Sequence, residues 1–354
     1  MYILITLVVA IQIWVFKSFI KSQPFWKLTL FAFLNCVLFF SDYITVFFFP
    51  VLFIYPLIKK DFKLFFKVIL GFLPLAGLFF LWYPMFETQL IKNNQIINSF
   101  PGWQSVVGGA TLKNLVVIWM KFVLGRVSFE PKTLYYGSVI IASIPILVSL
   151  YFSAKQLKKN ILIWLWLTVP ATLGFAFSLL IPVFNYFRFI YVLPALIILV
   201  VIGISHFKNK LLQKILVGSI ILTNIIGLSI YYIDPAQQRE NWRQAVDFIE
   251  SHPRSGDLVL FEFIEPVAPY RWYTRQTVEV IGATDGYSAD PVKTPAKVEP
   301  YVENKTRVYH FDYLRDLTDP QKIVEQKLEQ EGFTKTEVLN EFKNIGQLSI
   351  WTRE

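Results

Sequence analysis

From its first residue to about position 233 the chain is a series of apolar runs, each close to the length of a membrane crossing and each ended by a short polar break. No other feature constrains the fold as much. About 20 apolar residues in helical form match the roughly 30 Å hydrocarbon layer of a bilayer, and within that layer only helices and closed barrels satisfy every backbone N–H and C=O. Eight runs are legible, at 1–16, 26–40, 44–58, 68–82, 134–152, 161–181, 189–204 and 215–233. With 55% hydrophobic and 17% aromatic residues, the chain is too apolar for one soluble domain. The expected fold class is an α-helical polytopic membrane domain of about eight spans at 1–233, with an outward loop at 84–133, followed by a small α/β soluble domain at 234–354.

The formal charge of +9 is unevenly placed. Residues 1–233 hold 19 Lys and Arg against four acids (Asp42, Asp61, Glu87 and Glu130), whereas 234–354 hold 15 against 21, so the two parts carry +15 and −6. A basic excess confined to membrane loops removes the support for a nucleic-acid partner. Lys17, Lys21 and Lys27; Lys59, Lys60, Lys63 and Lys67; Lys155, Lys158 and Lys159; and Lys208, Lys210 and Lys214 fall on alternate loops. The positive-inside rule puts these 13 lysines in the cytoplasm. The 84–133 loop, the turn carrying Arg188 and the C-terminal domain then face outward, as in a multi-pass cell-membrane protein. That orientation starts the first run on the outer side, which implies either a reverse-inserted helix or helices upstream of Met1. The single cysteine, Cys36, and three widely separated histidines give neither a disulfide framework nor a metal motif.

Within the membrane part, Ser41-Asp42 marks a tight helical hairpin at membrane depth. Pro84, Pro101-Gly102-Trp103 and Gly108-Gly109 mark the long loop, in which 112–124 has the periodicity of a helix lying along the interface. From Asp234 the texture becomes that of a soluble domain. Trp242, Ala245, Val246, Phe248 and Ile249 form the stripe of an amphipathic helix at 241–252. Strands are expected at 258–263, 277–281, 307–311 and 347–351. A helix at 320–330 follows an Asp319 cap and ends at Gly332. The aromatic cluster at 269–273 reads as a strand packed on the membrane domain, or as a surface that stacks on an acceptor sugar. No glycine-rich phosphate loop follows the first strand.

Four stretches together resemble the membrane glycosyltransferases of the GT-C type, specifically the bacterial relatives of protein O-mannosyltransferases and of the lipid A aminoarabinose transferase. Met1-Tyr2-Ile3-Leu4 looks like the end of an "Ala-Arg-Met-Tyr" helix start. Ser41-Asp42-Tyr43 falls where that family often has Thr-His-Tyr. Asn185-Tyr186-Phe187-Arg188-Phe189 through Pro194 is similar to its "Arg-Tyr-…-Leu-Pro-Ala" helix, and Trp242-Arg243-Gln244-Ala245 with Gly256-Asp257 resembles the opening of its outer domain. The resemblance implies transfer of a sugar from a polyprenyl-phosphate carrier to a lipid, protein or glycan acceptor on the outer face. It also implies a catalytic acid in a first outward loop that this chain lacks, so an N-terminally truncated form is expected.

Such transfer needs a carboxylate to activate the acceptor and cations to hold the phosphate. Asp42 is the acid nearest membrane depth, and is either that carboxylate or a helix cap. Arg188, with Tyr186 beside it, is placed to bind a donor phosphate bidentately, or ordinary lipid head groups. Lys92, Trp103, Lys113 and Arg126 are loop candidates for donor or acceptor contacts, or simply solvated side chains. Metal dependence stays open. The alternative function is a non-catalytic membrane protein that binds a lipid-linked sugar or a partner subunit. A transporter is disfavoured by the lack of paired Gly/Pro-broken helices. The orientation predicts that an alkaline phosphatase fused after Glu354 is active, whereas a fusion at Asn209 is inactive; the reverse pattern would overturn the lysine assignment.

Overall fold

The computed structural model describes residues 1–21, 24–99, 108–238, 240–251, 253–264, 266–275 and 278–353, with the side chains of 96–99 and 236 excepted. The chain divides into two compact units, one formed by Met1–Asn94 and Gln104–Ile230, the other by Gln95–Trp103 and Tyr231–Glu354.

The first unit is helical. Its elements are α1 (Tyr2–Lys21), α2 (Phe25–Ser41), a 3-10 turn (Tyr43–Phe47), α3 (Phe49–Ile58), α4 (Phe62–Ser99), α5 (Leu112–Leu124), α6 (Lys132–Ala154), α7 (Leu157–Phe177), a second 3-10 turn (Ile190–Val192), α8 (Leu193–Ser205) and α9 (Lys210–Ile233). Five of these, α1, α4, α6, α7 and α9, are long and apolar enough to cross a membrane. The protein therefore has the helices of a multi-pass membrane protein. The other three expected spans are shorter apolar helices. At 1.5 Å per residue α3 is roughly 15 Å long, about half a hydrocarbon core. Together α2 and α3 still return the chain to the end from which it entered.

Lysine-rich loops distant in sequence meet at that end. Lys59 Nζ donates to the Lys158 carbonyl (3.1 Å), and the rings of Phe152, beside the Lys155–Lys159 cluster, and Phe207, beside Lys208, lie 4.3 Å apart. At the opposite end Tyr2 packs on Phe187 (5.2 Å).

The loop expected at 84–133 is shorter than the sequence pattern implies, because α4 runs unbroken through Pro74 and Pro84 to Ser99. A proline removes one ladder bond, and the helix formers that follow (Met85, Glu87, Gln89, Leu90 and Lys92) carry the helix on. A helix is present at the expected 112–124 as α5, capped where the Thr111 hydroxyl accepts the Asn114 N–H (3.1 Å). Two further features tie the helices together. Gln12 on α1 donates to Asn35 Oδ1 on α2 (2.6 Å), and Asn35 donates to the Gly71 carbonyl on α4 (3.4 Å), a polar clamp buried among phenylalanines. α6 and α8 cross at Gly203, where a Cβ would lie 1.8 Å from the Ser149 carbonyl oxygen.

The second unit is a three-layer α/β domain. Its elements are α10 (Trp242–Ser251), β1 (Asp257–Phe261), α11 (Val267–Tyr273), β2 (Glu279–Gly282), α12 (Lys293–Val302), β3 (Arg307–Phe311), α13 (Arg315–Thr318), α14 (Ile323–Gln330), β4 (Thr334–Leu339) and β5 (Leu348–Thr352). Strand order is β2-β1-β3-β5-β4, with β2, β1 and β3 parallel and β5 antiparallel to both β3 and β4. Alternate strand residues feed two cores. Val259, Phe261, Tyr309 and Phe311 pack with Trp242, Val246, Ile249 and Tyr270 on one face, and Leu258, Leu260 and Val308 pack with Val298, Val302, Val324 and Leu328 on the other. Asp319 caps α14 as expected, accepting the Ile323 and Val324 N–H groups (both 2.9 Å). The cluster at 269–273 is helical within α11, not a strand, because Val267 and Tyr270 at i and i+3 bury one face and Pro269 sits in the first turn, where its missing N–H costs nothing. α12 and β4 went unrecognised, α12 because Pro295 and Pro300 interrupt its pattern and β4 because it is an almost wholly exposed edge strand.

A buried pair lies on the second core face. His310 Nε2 is 3.0 Å from Glu262 Oε1, both side chains are fully buried, and Glu262 Oε2 and His310 Nδ1 have no hydrogen-bond partner among the described residues. Desolvation pushes the Glu262 carboxyl above its ordinary range, against the opposing pull of His310. A carboxyl raised in the folded state contributes stability that is complete below the unfolded pKa and lost as pH rises through the folded value.

Two outcomes follow from this packing. Gly203→Val drives a side chain into the α6–α8 backbone contact and lowers stability by about 3 kcal/mol, read as a lower melting midpoint of the purified protein. Hydrogen exchange at the Leu260 and His310 amides, corrected for intrinsic rates, shows local stability declining as pH rises from the ordinary carboxyl range. In Glu262→Gln that decline is absent.

Candidate functional site

The irregular backbone between α7 and α8 builds the site. Pro182 ends the helical pattern of the preceding run, and the chain passes through 178–192 as turns before Pro194 opens α8. Its backbone groups are satisfied locally. Ser178 Oγ accepts the Val183 N–H (3.2 Å), the Phe184 N–H donates to the Gly108 carbonyl (3.0 Å), and the Arg188 N–H donates to the Asn185 carbonyl (3.1 Å). Gly108 is required there, because its φ is +104° and a Cβ would sit 2.5 Å from the Phe184 carbonyl oxygen.

The residues on either side of Arg188 are fixed by aromatic packing. Phe189 is buried, with its ring 5.1 Å from Phe184 and stacked on Phe47 (6.2 Å), and it fills the space left by Gly174, where a Cβ would meet the ring at 2.1 Å. Tyr191 is fully buried; its hydroxyl donates to the Ile44 carbonyl (3.4 Å), and its own carbonyl accepts the Trp166 indole N–H (3.0 Å).

Arg188 lines an apolar cavity of ≈ 670 Å³ within the first unit. Phe39, Phe47, Phe72, Phe79 and Phe86 supply much of its wall, and Tyr43, Gln89 and Asn93 add the neutral polar groups. Trp82 Nε1 donates to the Tyr43 hydroxyl (2.8 Å), which donates to Gln89 Oε1 (3.0 Å), so the amide of Gln89 is held in one orientation. Arg188 is the sole charged group among the described lining residues, and its guanidinium has no hydrogen-bond or ion-pair partner among the described residues. A half-buried guanidinium of this kind is stabilised by an anion that brings its own oxygens.

The other sequence candidates are placed differently. Asp42 is half-buried and does not line the cavity; its Oδ1 accepts the Ile44 N–H (3.0 Å), making it the cap of the 3-10 turn. Tyr186 is also absent from the lining and packs edge-on against Phe187 (5.4 Å). Lys92 is exposed on α4, in a helix and not a loop, next to the lining residue Asn93. Lys113 on α5 and Arg126 after it are exposed as well. Trp103 lies outside the described residues. Glu130 pairs with Lys132 (2.7 Å). Sequence reasoning missed Tyr43, Gln89 and Asn93. Their signal was the spacing Phe86, Gln89, Leu90, Asn93, an i, i+3, i+4, i+7 stripe that is recognisable only once the segment is known to be helical.

Comparison with family models, with curated proteins and with solved structures returns no match to this chain.

Proposed function

We propose that this protein handles a polyprenyl-phosphate-linked sugar at the outer side of a membrane, as a glycosyltransferase of the GT-C kind. Arg188 pairs with the donor phosphate, the aromatic wall of the cavity accommodates the first isoprene units, and Gln89 and Asn93 face the polar end of the donor. One observation carries the reading: a guanidinium without a partner among the described residues stands in a cavity whose described lining is otherwise apolar or neutral. That is the complement of an amphiphile with an anionic head and a hydrocarbon tail. The cavity also lies away from the lysine-rich end, on the side that the charge pattern assigns to the exterior, as it assigns the C-terminal domain.

A second reading is favoured by a different fact. Among the described lining residues there is no carboxylate, and that of Asp42 is engaged as a cap. A protein with this lining binds a lipid-linked sugar without transferring it.

The test measures binding by the full chain in nanodiscs, using polyprenyl phosphate and the corresponding polyprenol. The wild type prefers the phosphate, and Arg188→Gln loses about 10- to 100-fold in affinity for it while binding polyprenol unchanged, as expected for loss of a charge-assisted hydrogen bond. Equal phosphate preference in wild type and variant would rule out the phosphate role. Release of radiolabelled sugar from its carrier to an endogenous acceptor then separates transfer from binding alone.

A further inference from the structure

The second unit carries a surface that neither the cavity nor the proposed transfer uses. On α11 the inward residues Val267 and Tyr270 are buried in the first core face, with Tyr270 5.8 Å from the Phe261 ring. The helix turns Ala268, Arg271 and Trp272 outward at i, i+3 and i+4, and Tyr273 and Arg275 follow in the exposed surface. The side chain of Trp272 is 82% exposed. Together with the exposed Tyr273 it makes more than a singly scattered surface apolar residue, and an indole, apolar in body with one polar N–H, suits a boundary that is apolar on one side and wet on the other.

Most buried or half-buried bases of this unit are matched with acids, Lys297 with Asp285, Lys305 with Glu279, Arg307 with Asp257, Arg315 with Asp312 and Glu325, and Lys327 with Glu299, whereas exposed bases such as Arg243, Arg254 and Lys293 have no ion-pair partner among the described residues. Neither Arg271 nor Arg275 has an ion-pair partner among the described residues, although residues 234–354 hold 21 acids to 15 bases. The Glu250 carboxylate accepts the Arg275 backbone N–H (2.8 Å) and the Thr274 hydroxyl. Two unmatched guanidiniums beside an exposed tryptophan and a tyrosine are complementary to anionic lipid head groups. A bilayer is also within reach, because α9, long and apolar enough to cross one, ends at Ile233, shortly before this unit's first helix at Trp242.

We infer that the outer face of α11 is a membrane-contact patch, which seats Trp272 in the interfacial layer of a bilayer and pairs Arg271 and Arg275 with anionic head groups. The sheet face bearing α10 and α11 is then turned toward lipid, and the face bearing α12 and α14 away from it.

The experiment uses the full chain in nanodiscs, with Cys36→Ala removing the only native thiol. A fluorescent probe is placed at Ala268→Cys, which leaves Trp272 and both arginines intact, or at Val292→Cys, an exposed position (77%) at the start of α12 on the opposite sheet face. Nitroxide-bearing lipid is expected to quench the probe at 268 several-fold more than the probe at 292, more strongly with anionic than with zwitterionic lipid. Combining Trp272→Ala, Arg271→Gln and Arg275→Gln reduces quenching at 268 to the level at 292. Equal quenching at the two positions overturns the inference. So does quenching at 268 that survives the combined substitutions, or protection of 268 from aqueous iodide without quenching by lipid, which indicates a protein or glycan occupant.

Discussion

A peptide group left without a hydrogen bond in hydrocarbon costs several kcal/mol, so irregular backbone in a membrane protein exists only where the protein satisfies it. In this chain that obligation is met at 178–192, by the Ser178 hydroxyl, the Gly108 and Asn185 carbonyls and the Trp166 indole. Had the segment been helical, its side chains would have formed one more lipid-facing or helix-facing stripe. Because it is not, it turns inward, and the same bonds that hold the backbone place Arg188 at a cavity wall. The site is therefore a by-product of how a break between two apolar helices is kept satisfied.

Aromatic rings take up the space that this break opens. Phe47, Phe184 and Phe189 interlock around Gly174, and the buried Tyr191 ties the stretch to the Ile44 carbonyl. With few polar atoms in the cavity wall, the residues around Arg188 do little to compensate its charge. The second unit handles its charges in the opposite way. It pairs nearly every buried or half-buried cation with an acid, keeps His310 and Glu262 together in its core, and leaves Arg271 and Arg275 beside Trp272, like other exposed bases, without an ion-pair partner among the described residues. The contrast separates charges that stabilise the fold from charges left available to something outside it.

Much of this was legible before any coordinates. Apolar run length located the long helices, and the Asp319 cap with Gly332 bounded α14 to within a few residues. The strand at 307–311 was read without error, because a short run rich in Val, Tyr and Phe bounded by polar residues is a local signal, even though it is buried on both faces. What failed did so for physical reasons. Pro84 reads as a helix breaker, yet one lost bond did not outweigh the helix formers beyond it. The 269–273 cluster reads as strand from its aromatics, yet burial at i and i+3 made it helix. Arg188 was identified from the oddity of a charge at a membrane edge, whereas Gln89 and Asn93 were invisible while their segment was taken for loop.

Run length, composition and the segregation of charge are properties of the sequence alone, since they depend on what a bilayer tolerates and not on which helix meets which. They determined a polytopic helical region and a separate α/β domain, and they singled out Arg188. Only the tertiary structure decided that Arg188 lines a cavity while Tyr186 does not, that Asp42 serves as a cap, and that α4 contributes the polar groups opposite. Those are relations between residues far apart in the chain, set by packing and by which backbone groups find partners across helices, and neither periodicity nor spacing encodes them.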